Sequence, residues 1–342
     1  MLKKLLSAGL VAAGMLVVAA PANAQEVTLK LHQLLPIKAG IPGKFLEPWI
    51  AKVQEESGGR IKIEHYPSMQ LGGKPPELVQ QVTDGAVDLV WTVMGYTPGR
   101  FPRAEAFEQP FMVTNGEQTS KAFQKYVDKH MQDDFPGMKV IAVHTHGPGL
   151  IHSKEPVGKL EDLKGMKLRG PTRVITGFLE SQGAVALGMP VPAVPEAVSK
   201  GVIDGAVIPW EVTLPLKMTE LVHNHTAFAG DRGLYTATFL FAMNKASYDA
   251  LPDDLKKVID ANSGVEAAAW AGRVMDEVDL VGRAKAEKSG NTIITLDEAE
   301  VDRWKEAAKP VVANWAAEMD GKGMDGTGLL KDARALLNAE SK

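Results

Sequence analysis

The sequence of 342 residues contains no cysteine. A disulfide, a cysteine nucleophile and a lipid-modified cysteine are therefore excluded, and the fold must be stabilised by burial of its hydrophobic core. The sequence also lacks the enzyme motifs G-x-S-x-G, H-E-x-x-H, G-x-x-x-x-G-K-[ST] and G-x-G-x-x-G. These absences argue against several enzyme classes, although many enzymes carry no short motif.

Long hydrophobic runs are also missing, with one exception at the N-terminus. Lys3 and Lys4 precede an apolar run over 5–20, and a short A-N-A sequence ends at Ala24. This order predicts a secretory signal peptide, residues 1–24, that is cleaved after Ala24. The run is too short to span a bilayer comfortably and no basic stop-transfer segment follows it. We therefore expect an exported protein that does not insert into the membrane after cleavage.

Excess positive charge is absent as well. The formal net charge is −4, and it becomes −6 once the two lysines of the predicted leader are removed. An acidic chain is a poor partner for nucleic acid or for an anionic membrane surface. A small anion remains a candidate ligand, because it responds to the local field and not to the net charge.

Alternating and helical hydrophobic patterns follow one another along the first half of the chain. In order, they predict a strand in 26–36, a helix in 40–57, a strand in 60–67, a helix in 76–83 and a strand in 86–91. Strand and helix in alternation indicate an α/β domain with a largely parallel sheet.

The second half repeats this pattern. Strands are predicted in 138–146, 166–170, 204–210 and 236–245, short helices in 174–181 and 195–200, and helices throughout the region after Ala250. The letters Asp-Gly-Ala-Val occur at 84–87 before Trp91 and again at 204–207 before Trp210. This echo gives weak support to two similar α/β domains, with the strand in 236–245 crossing between them.

Histidines at 144, 146 and 152 form the best candidate for a metal site. His144 and His146 alternate on a predicted strand and would share one face. Zinc would require a third and a fourth ligand as well. The favoured alternative is that these side chains form hydrogen bonds at a strand end or line a cleft. His223 and His225 form a similar pair with no better support.

Three side chains lie at the carboxyl ends of predicted strands, where open α/β sheets bind ligands. Trp91 and Trp210 could each offer a flat apolar wall or simply cap the sheet. Arg169 carries a guanidinium whose paired donors match a carboxylate. Its alternative role is a surface ion pair with Glu161 or Asp162.

Several segments together resemble the extracytoplasmic substrate-binding proteins of TRAP (tripartite ATP-independent periplasmic) transporters. The segments are EESGGRIKIEHYPSMQLGG, VTDGAVDLVW, VGKLEDLKGMKLRGP, VPEAVSKGVIDGAVIPW and LPDDLKKVIDANSG. The resemblance implies a periplasmic protein of α/β class with two domains, mixed sheets, hinge strands around a cleft, and a long helix that braces both domains. The implied domains are 25–146 with 237–276, and 147–236 with 277–342.

The resemblance also implies a role for Arg169, which matches the arginine that pairs with the ligand carboxylate in this family. The implied partners are the ligand and the large and small membrane subunits of the transporter, with cleft closure coupled to binding. No cofactor and no metal are predicted, and a monomer is expected.

Departures from the family pattern narrow the predicted ligand. Gly149 stands where sialate binders carry a second arginine, and Thr92-Val93-Met94 stands where some members carry an acidic residue. A monocarboxylate with an apolar or aromatic body is therefore predicted, with Trp91, Met94 and Trp210 flanking it and with His146 and Gln33 donating hydrogen bonds. The predicted ligand-binding residues are Arg169, Trp91, Trp210, His146, Gln33, Thr92 and Met94.

Three alternatives stay open at this point. A C4-dicarboxylate would need a second positive group from His144, His146 or Arg173. An exported metal-dependent hydrolase would use the pair His144 and His146. A sensory protein would present the same ligand to a membrane receptor instead of a transporter.

Overall fold

A computed structural model describes residues 27–341. The predicted signal peptide and its cleavage site lie outside the described residues. None of the helices in 27–341 combines the length and the apolar character that crossing a bilayer requires.

Strands and helices alternate over most of the described chain. The strands are β1 (Val27–Gln33), β2 (Ile61–Tyr66), β3 (Leu89–Val93), β4 (Met138–Thr145), β5 (Leu150–Ser153), β6 (Lys167–Gly170), β7 (Val185–Gly188), β8 (Gly205–Ile208), β9 (Asn224–Phe228), β10 (Thr238–Asn244) and β11 (Thr292–Leu296). The α-helices are α1 (Glu47–Glu56), α2 (Leu78–Thr83), α3 (Gly116–His130), α4 (Arg173–Ser181), α5 (Val194–Ser199), α6 (Thr213–Leu216), α7 (Met218–Leu221), α8 (Lys245–Asp249), α9 (Asp253–Ala261), α10 (Val265–Lys288), α11 (Glu298–Gly321) and α12 (Gly326–Glu340).

The strands form two separate mixed sheets, as the fold class predicts. The first sheet has the order β2-β1-β3-β10-β4, and the second has the order β11-β9-β5-β8-β6-β7. In the first sheet β1 runs parallel to β2 and β3, whereas β10 is antiparallel to both β3 and β4. In the second sheet β8 runs parallel to β6 and antiparallel to β5.

Two predicted elements differ from the structure for local reasons. The helix predicted in 40–57 begins as a π-helical segment, Pro42–Leu46, before α1 starts. Pro48 has no N–H group, so the regular α-helical hydrogen-bond ladder is interrupted here. The prediction of helix throughout the region after Ala250 is wrong for Thr292–Leu296, which forms the edge strand β11 beside β9.

Large aromatic side chains fill the space between the first sheet and the helices on one of its faces. Trp49 packs edge-on against Phe241 at 4.7 Å, and Phe45 packs edge-on against Trp270 at 5.2 Å. Trp49 also donates from Nε1 to the carbonyl of Asn262 at 2.8 Å. Trp49 and Trp270 therefore pack in the hydrophobic core of this half of the protein.

The chain crosses between the sheets in two extended segments, 146–149 and 234–237. These segments contact each other, since the Gly149 amide donates to the carbonyl of Tyr235 at 2.9 Å. A Cβ atom on residue 149 would lie 2.0 Å from the Tyr235 ring, so only glycine fits this position. The strand β10 itself lies in the first sheet, and the crossing occurs just before it.

The helix α10 is the third connection between the two sheets. Its 24 residues span about 36 Å. It packs on α3 and β4 of the first sheet and also contacts α6 and β11 on the side of the second sheet. This confirms the long bracing helix. The predicted domain limits remain a proposal. The helix α12 belongs to the predicted domain that contains 277–342, but it packs against α3, which belongs to the other predicted domain.

Candidate ligand-binding site

A pocket lies between the two sheets. Trp91 and Phe239 of the first sheet line one side of it, and Arg169 and Ile208 of the second sheet line the other. A ligand held here would therefore contact both halves of the protein.

Arg169 is the positively charged side chain of this pocket, and it is only 3% exposed. Its Nε donates to the Met189 carbonyl at 3.0 Å, its Nη1 to the Val207 carbonyl at 3.1 Å, and its Nη2 to the Tyr96 hydroxyl at 3.3 Å. A guanidinium has five N–H groups, so these three bonds leave two for a ligand. No carboxylate of the described residues forms a salt bridge with it.

The local sequence explains why Arg169 is held so firmly. Gly170 allows the chain to turn tightly into α4, because a Cβ there would lie 2.1 Å from Thr176 Oγ1. The side chain of Thr172 caps α4 by accepting from the Ile175 amide. The chain direction therefore reverses directly after β6, and the guanidinium stays at the strand end.

The surface ion pair considered for Arg169 does not form. Glu161 pairs with Arg303, and the carboxylate of Asp162 accepts from the amides of Gly158 and Lys159. Both acidic side chains are therefore engaged elsewhere, and Arg169 is a buried cation of the pocket.

Tyr96 is a pocket residue that sequence reasoning missed. Its hydroxyl accepts from Arg169 and also from the Val191 amide at 2.8 Å. A phenol has one donor and two acceptor sites, so its O–H remains available to a ligand. Burial raises the pKa of Tyr96, which keeps that proton in place. Its position just after the third predicted strand was the available signal.

His146 lines the pocket, but it has no N–H left for a ligand. Its Nδ1 donates to the Gly147 carbonyl, and its Nε2 accepts from the Ala237 amide at 2.9 Å. Burial lowers the pKa of His146 to about 3, so the ring is neutral at pH 7. The hydrogen bonds of His146 fix the crossing segments and leave its ring as part of the wall. The proposed donation from His146 to the ligand has no structural basis.

Trp91 and His144 form a buried pair next to the pocket. Trp91 donates from Nε1 to His144 Nε2 at 2.8 Å, and burial lowers the pKa of His144 to about 3. Phe239 stacks on Trp91 with ring centroids 5.2 Å apart and on His144 at 4.7 Å. The Nε2 atoms of His144 and His146 are therefore occupied by protein donors. Within 27–341 no group of three histidine, aspartate or glutamate side chains is arranged to hold a metal.

The remaining predicted residues lie outside the pocket. Gln33 is fully buried and bonds to both backbone groups of Leu35, so it positions a wall segment. Thr92 alternates with Trp91 and Val93 on β3 and faces the opposite side of the sheet. Met94 lines a smaller neighbouring cavity.

Trp210 also lies outside the pocket. Its ring packs against His152 and His225, each with centroids 4.9 Å away. Its chain neighbours Pro209 and Glu211 line the pocket instead. The prediction that Trp210 flanks the ligand therefore has no support in this geometry.

Glu211 is the second pocket residue that the sequence did not reveal. It is 3% exposed, and its Oε2 is buried without a hydrogen-bond partner among the described residues. Burial raises the pKa of Glu211 to about 8. No motif marks this glutamate, since only the fold turns it toward the cavity.

Comparison with known proteins places the chain in a family. Residues 40–318 match the family described as bacterial extracellular solute-binding protein, family 7. The protein TsaT of Comamonas testosteroni, described as an outer membrane transporter protein, is 25% identical over 317 residues, which is 92% of each chain.

Two solved structures are similar over nearly the whole chain. A TRAP solute-binding protein from a marine metagenome (an unidentified microbe), described as specific for aromatic acid ligands and bound to metahydroxyphenylacetate, is 51% identical with a TM-score of 0.91, covering 93% of this chain and 100% of its own. One from Rhodoferax ferrireducens T118 with copurified benzoate is 47% identical with a TM-score of 0.90, covering 92% and 98%. The chain thus belongs to extracellular solute-binding protein family 7, and it is a periplasmic solute-binding component of a TRAP transporter and not an enzyme.

Proposed function

We propose that this protein captures an aromatic monocarboxylate in the periplasm and delivers it to the large and small membrane subunits of a TRAP transporter. It acts as a monomer after cleavage of the signal peptide behind Ala24. The observation that carries the proposal is Arg169, a buried cation without a carboxylate partner among the described residues, at the edge of a pocket with aromatic walls.

The ligand carboxylate is assigned to Arg169 and Tyr96. Two guanidinium N–H groups and one phenol O–H are free there, and the two oxygens of a carboxylate can accept from all three. A buried charge without a counter-charge is costly, and an anionic ligand removes that cost. Because both sheets line the pocket, the same ligand favours the closed arrangement over an open one.

The ligand body is assigned to the aromatic wall. Trp91 and Phe239 are stacked at 10° to one another, and Leu34, Leu35 and Val191 complete an apolar surface nearby. Such walls favour a flat ring over a hydrated chain. The metahydroxyphenylacetate and benzoate of the two similar structures support the same ligand class.

A C4-dicarboxylate fits this pocket less well. Arg173, considered as its second cation, pairs with Glu105 and Glu318 and does not line the pocket. His144 and His146 are neutral, because burial lowers the pKa of each to about 3. A second carboxylate would therefore be desolvated without a counter-charge.

Calorimetric titration and thermal shift of the mature protein (residues 25–342) test the proposal. We expect benzoate and 3-hydroxyphenylacetate to raise the Tm, whereas succinate does not. A ligand at 100 times its Kd should add about 2.7 kcal/mol to the free energy of unfolding. Arg169→Ala should weaken benzoate binding by roughly 100-fold or more, since it removes two charge-assisted hydrogen bonds of about 1.5–3 kcal/mol each.

The matched control is Lys167→Ala, which removes an exposed cation from the same strand. It should bind benzoate as the parent does. A succinate response that exceeds the benzoate response would contradict the monocarboxylate assignment, and an unchanged affinity in Arg169→Ala would remove Arg169 from the site. Uptake of labelled ligand into vesicles that carry the two membrane subunits distinguishes delivery to a transporter from presentation to a receptor.

A further inference from the structure

The polar groups of the pocket can be assigned almost completely from the hydrogen bonds of the described residues. His146 uses both ring nitrogens on backbone groups, and the Tyr235 hydroxyl donates to the Val207 carbonyl at 3.1 Å. Arg169 and Tyr96 retain the donors that suit a carboxylate. Glu211 also lines the pocket, and its side chain still has an unused hydrogen-bonding group.

Glu211 is held in place by its backbone and not by its carboxyl group. Its amide donates to Asp279 Oδ1 at 2.6 Å, which anchors the segment after β8 to α10. On the opposite side of the cleft, Gly40 approaches so closely that a Cβ there would lie 3.4 Å from Glu211 Oε2. The carboxyl group is therefore enclosed by both halves of the protein, in a position that a bound ligand can reach.

No counter-charge among residues 27–341 stabilises this carboxyl group. Glu211 forms no salt bridge within 27–341, and burial is the cause that raises its pKa to about 8. The group is consequently a neutral carboxylic acid at pH 7, with one O–H donor and one C=O acceptor. Burial raises the pKa of the neighbouring Tyr235. Arg169 opposes this rise and Glu211 adds to it.

We infer that Glu211 recognises a hydroxyl group on the ligand ring, so that the preferred ligand is a hydroxylated aromatic acid. This inference rests on the proposed function and adds a specificity residue to it. A phenolic hydroxyl can donate to the C=O of a neutral carboxylic acid and accept from its O–H. An unsubstituted ring leaves a buried polar group without a partner, and a site built in this way discriminates against the ligand that lacks the hydroxyl.

The test compares benzoate with 2-, 3- and 4-hydroxybenzoate by calorimetric titration at pH 6.5. The parent protein should bind at least one hydroxybenzoate about 3- to 10-fold more tightly than benzoate, the ratio expected for one net hydrogen bond. In Glu211→Leu this ratio should fall to about 1, since a leucine offers neither donor nor acceptor. In Glu211→Gln most of the ratio should remain, because the amide retains both.

The control variant is Glu220→Gln, which changes an exposed glutamate of the same half of the protein and should leave the ratio as in the parent. Far-UV circular dichroism and the Tm of each variant establish that it is folded. Removal of an unpartnered buried carboxyl group should not lower the Tm.

The outcomes separate this inference from the proposed function. If no aromatic acid binds the parent protein, the proposed function fails and the inference fails with it. If all four acids bind the parent with equal affinity, or if folded Glu211→Leu keeps the parent's ratio, Glu211 does not read the hydroxyl while the carboxylate site stands. Equal losses for benzoate and hydroxybenzoate in Glu211→Leu would also overturn the inference.

Discussion

Two helix-to-strand segments, one in each sheet, share a plan and differ in what they bring to the pocket. In the first, α2 is followed by Gly85 with φ +73° and then by β3, which begins at Leu89. In the second, α5 is followed by Gly201 with φ +68° and then by β8, which begins at Gly205. Each strand therefore begins four residues after a left-handed glycine that ends the helix.

An aspartate at the entrance of each strand confirms this correspondence. Asp88 Oδ2 accepts from the Lys30 amide at 2.8 Å, and Asp204 Oδ2 accepts from the Lys167 amide at 2.9 Å. In both cases the amide belongs to the adjacent parallel strand. Asp88 thus corresponds to Asp204, and the repeated letters Asp-Gly-Ala-Val are four residues out of structural register.

The shift in register explains why the two tryptophans behave differently. In the structural alignment Trp91 corresponds to Val207, and Trp210 corresponds to Met94. Trp91 lines the pocket, whereas Trp210 and Met94 lie outside it. Repeated letters in a sequence are therefore a weaker guide to equivalent positions than the glycine and aspartate that the backbone requires.

The largest expected effect is that of Gly205→Ala. A Cβ at this position would lie 2.3 Å from the carbonyl oxygen of His152 and 2.8 Å from Ser153 Cα, both in the backbone of β5. The strands β5 and β8 would have to separate, and we expect the free energy of unfolding to fall by about 3 kcal/mol. Urea denaturation measures this loss.

Gly85→Ala and Gly201→Ala serve as the comparison. Both glycines have positive φ, and the Cβ of an alanine would meet nothing closer than 3.5 Å at Gly85 and nothing within 4 Å at Gly201. Each change should cost only about 1 kcal/mol, for the left-handed backbone alone. If Gly205→Ala proved as mild as these two, the close approach of the β5 backbone to Gly205 would not limit stability.

Substitution of the two tryptophans tests the functional side of the comparison. Trp91→Leu should weaken benzoate binding by about tenfold, because the flat wall against the ligand is lost. Trp210→Leu should lower the free energy of unfolding by about 2 kcal/mol and leave the affinity within about twofold of the parent. Titration and denaturation of both variants check this, and a loss of affinity in Trp210→Leu alone would reverse the assignment.

The pH dependence of stability depends on a residue that only the second segment carries. Glu211 corresponds in register to Gly95 of the first segment. Because burial raises the pKa of Glu211 in the folded protein to about 8, above the usual value of 4.5 in the unfolded chain, stability falls as the pH rises from 4.5 to 8. In ligand-free protein, Glu211→Gln should reduce the fall in stability between pH 6 and pH 8 by about 1 kcal/mol per pH unit.

Burial also raises the pKa of Glu108 to about 8. Glu108 is present in both the parent and Glu211→Gln, so its contribution to the pH dependence cancels when their slopes are compared. Denaturation at pH 6, 7 and 8 measures the two slopes. Identical slopes would show that Glu211 is ionised throughout or is solvated in the free protein.

The smallest expected effect concerns the two aspartates. Asp88→Ala and Asp204→Ala each remove one side-chain acceptor from a backbone amide at a strand entrance. Both should lower the free energy of unfolding by about 1 kcal/mol, the net contribution of one such hydrogen bond. Urea denaturation of the two variants should give nearly equal losses, and a large difference would break the equivalence of Asp88 and Asp204.

The sequence predicted those features that depend on near neighbours in the chain. Alternating hydrophobic residues predicted most strands, because side chains of a strand alternate between its two faces. The strand-end position of Arg169, before Gly170 and Pro171, made it a candidate for the carboxylate. The family resemblance then correctly implied two domains and a bracing helix.

Pocket membership was decided by tertiary structure. Tyr96 reaches Arg169 across 73 positions of sequence, and Glu211 is enclosed by Gly40 from the other half of the protein. His146 lines the pocket, and its ring nitrogens are used by backbone groups that no local pattern reveals.

By itself, then, the sequence determined the α/β class and an acidic chain without cysteine chemistry, and it made Arg169 the candidate partner of a carboxylate. Only the tertiary structure decided which side chains share the cavity with Arg169 and which of them still have a free donor or acceptor. The physical reason is that a strand's periodicity sets the two faces of a sheet, whereas register between strands and contact between sheets determine which face encloses a ligand.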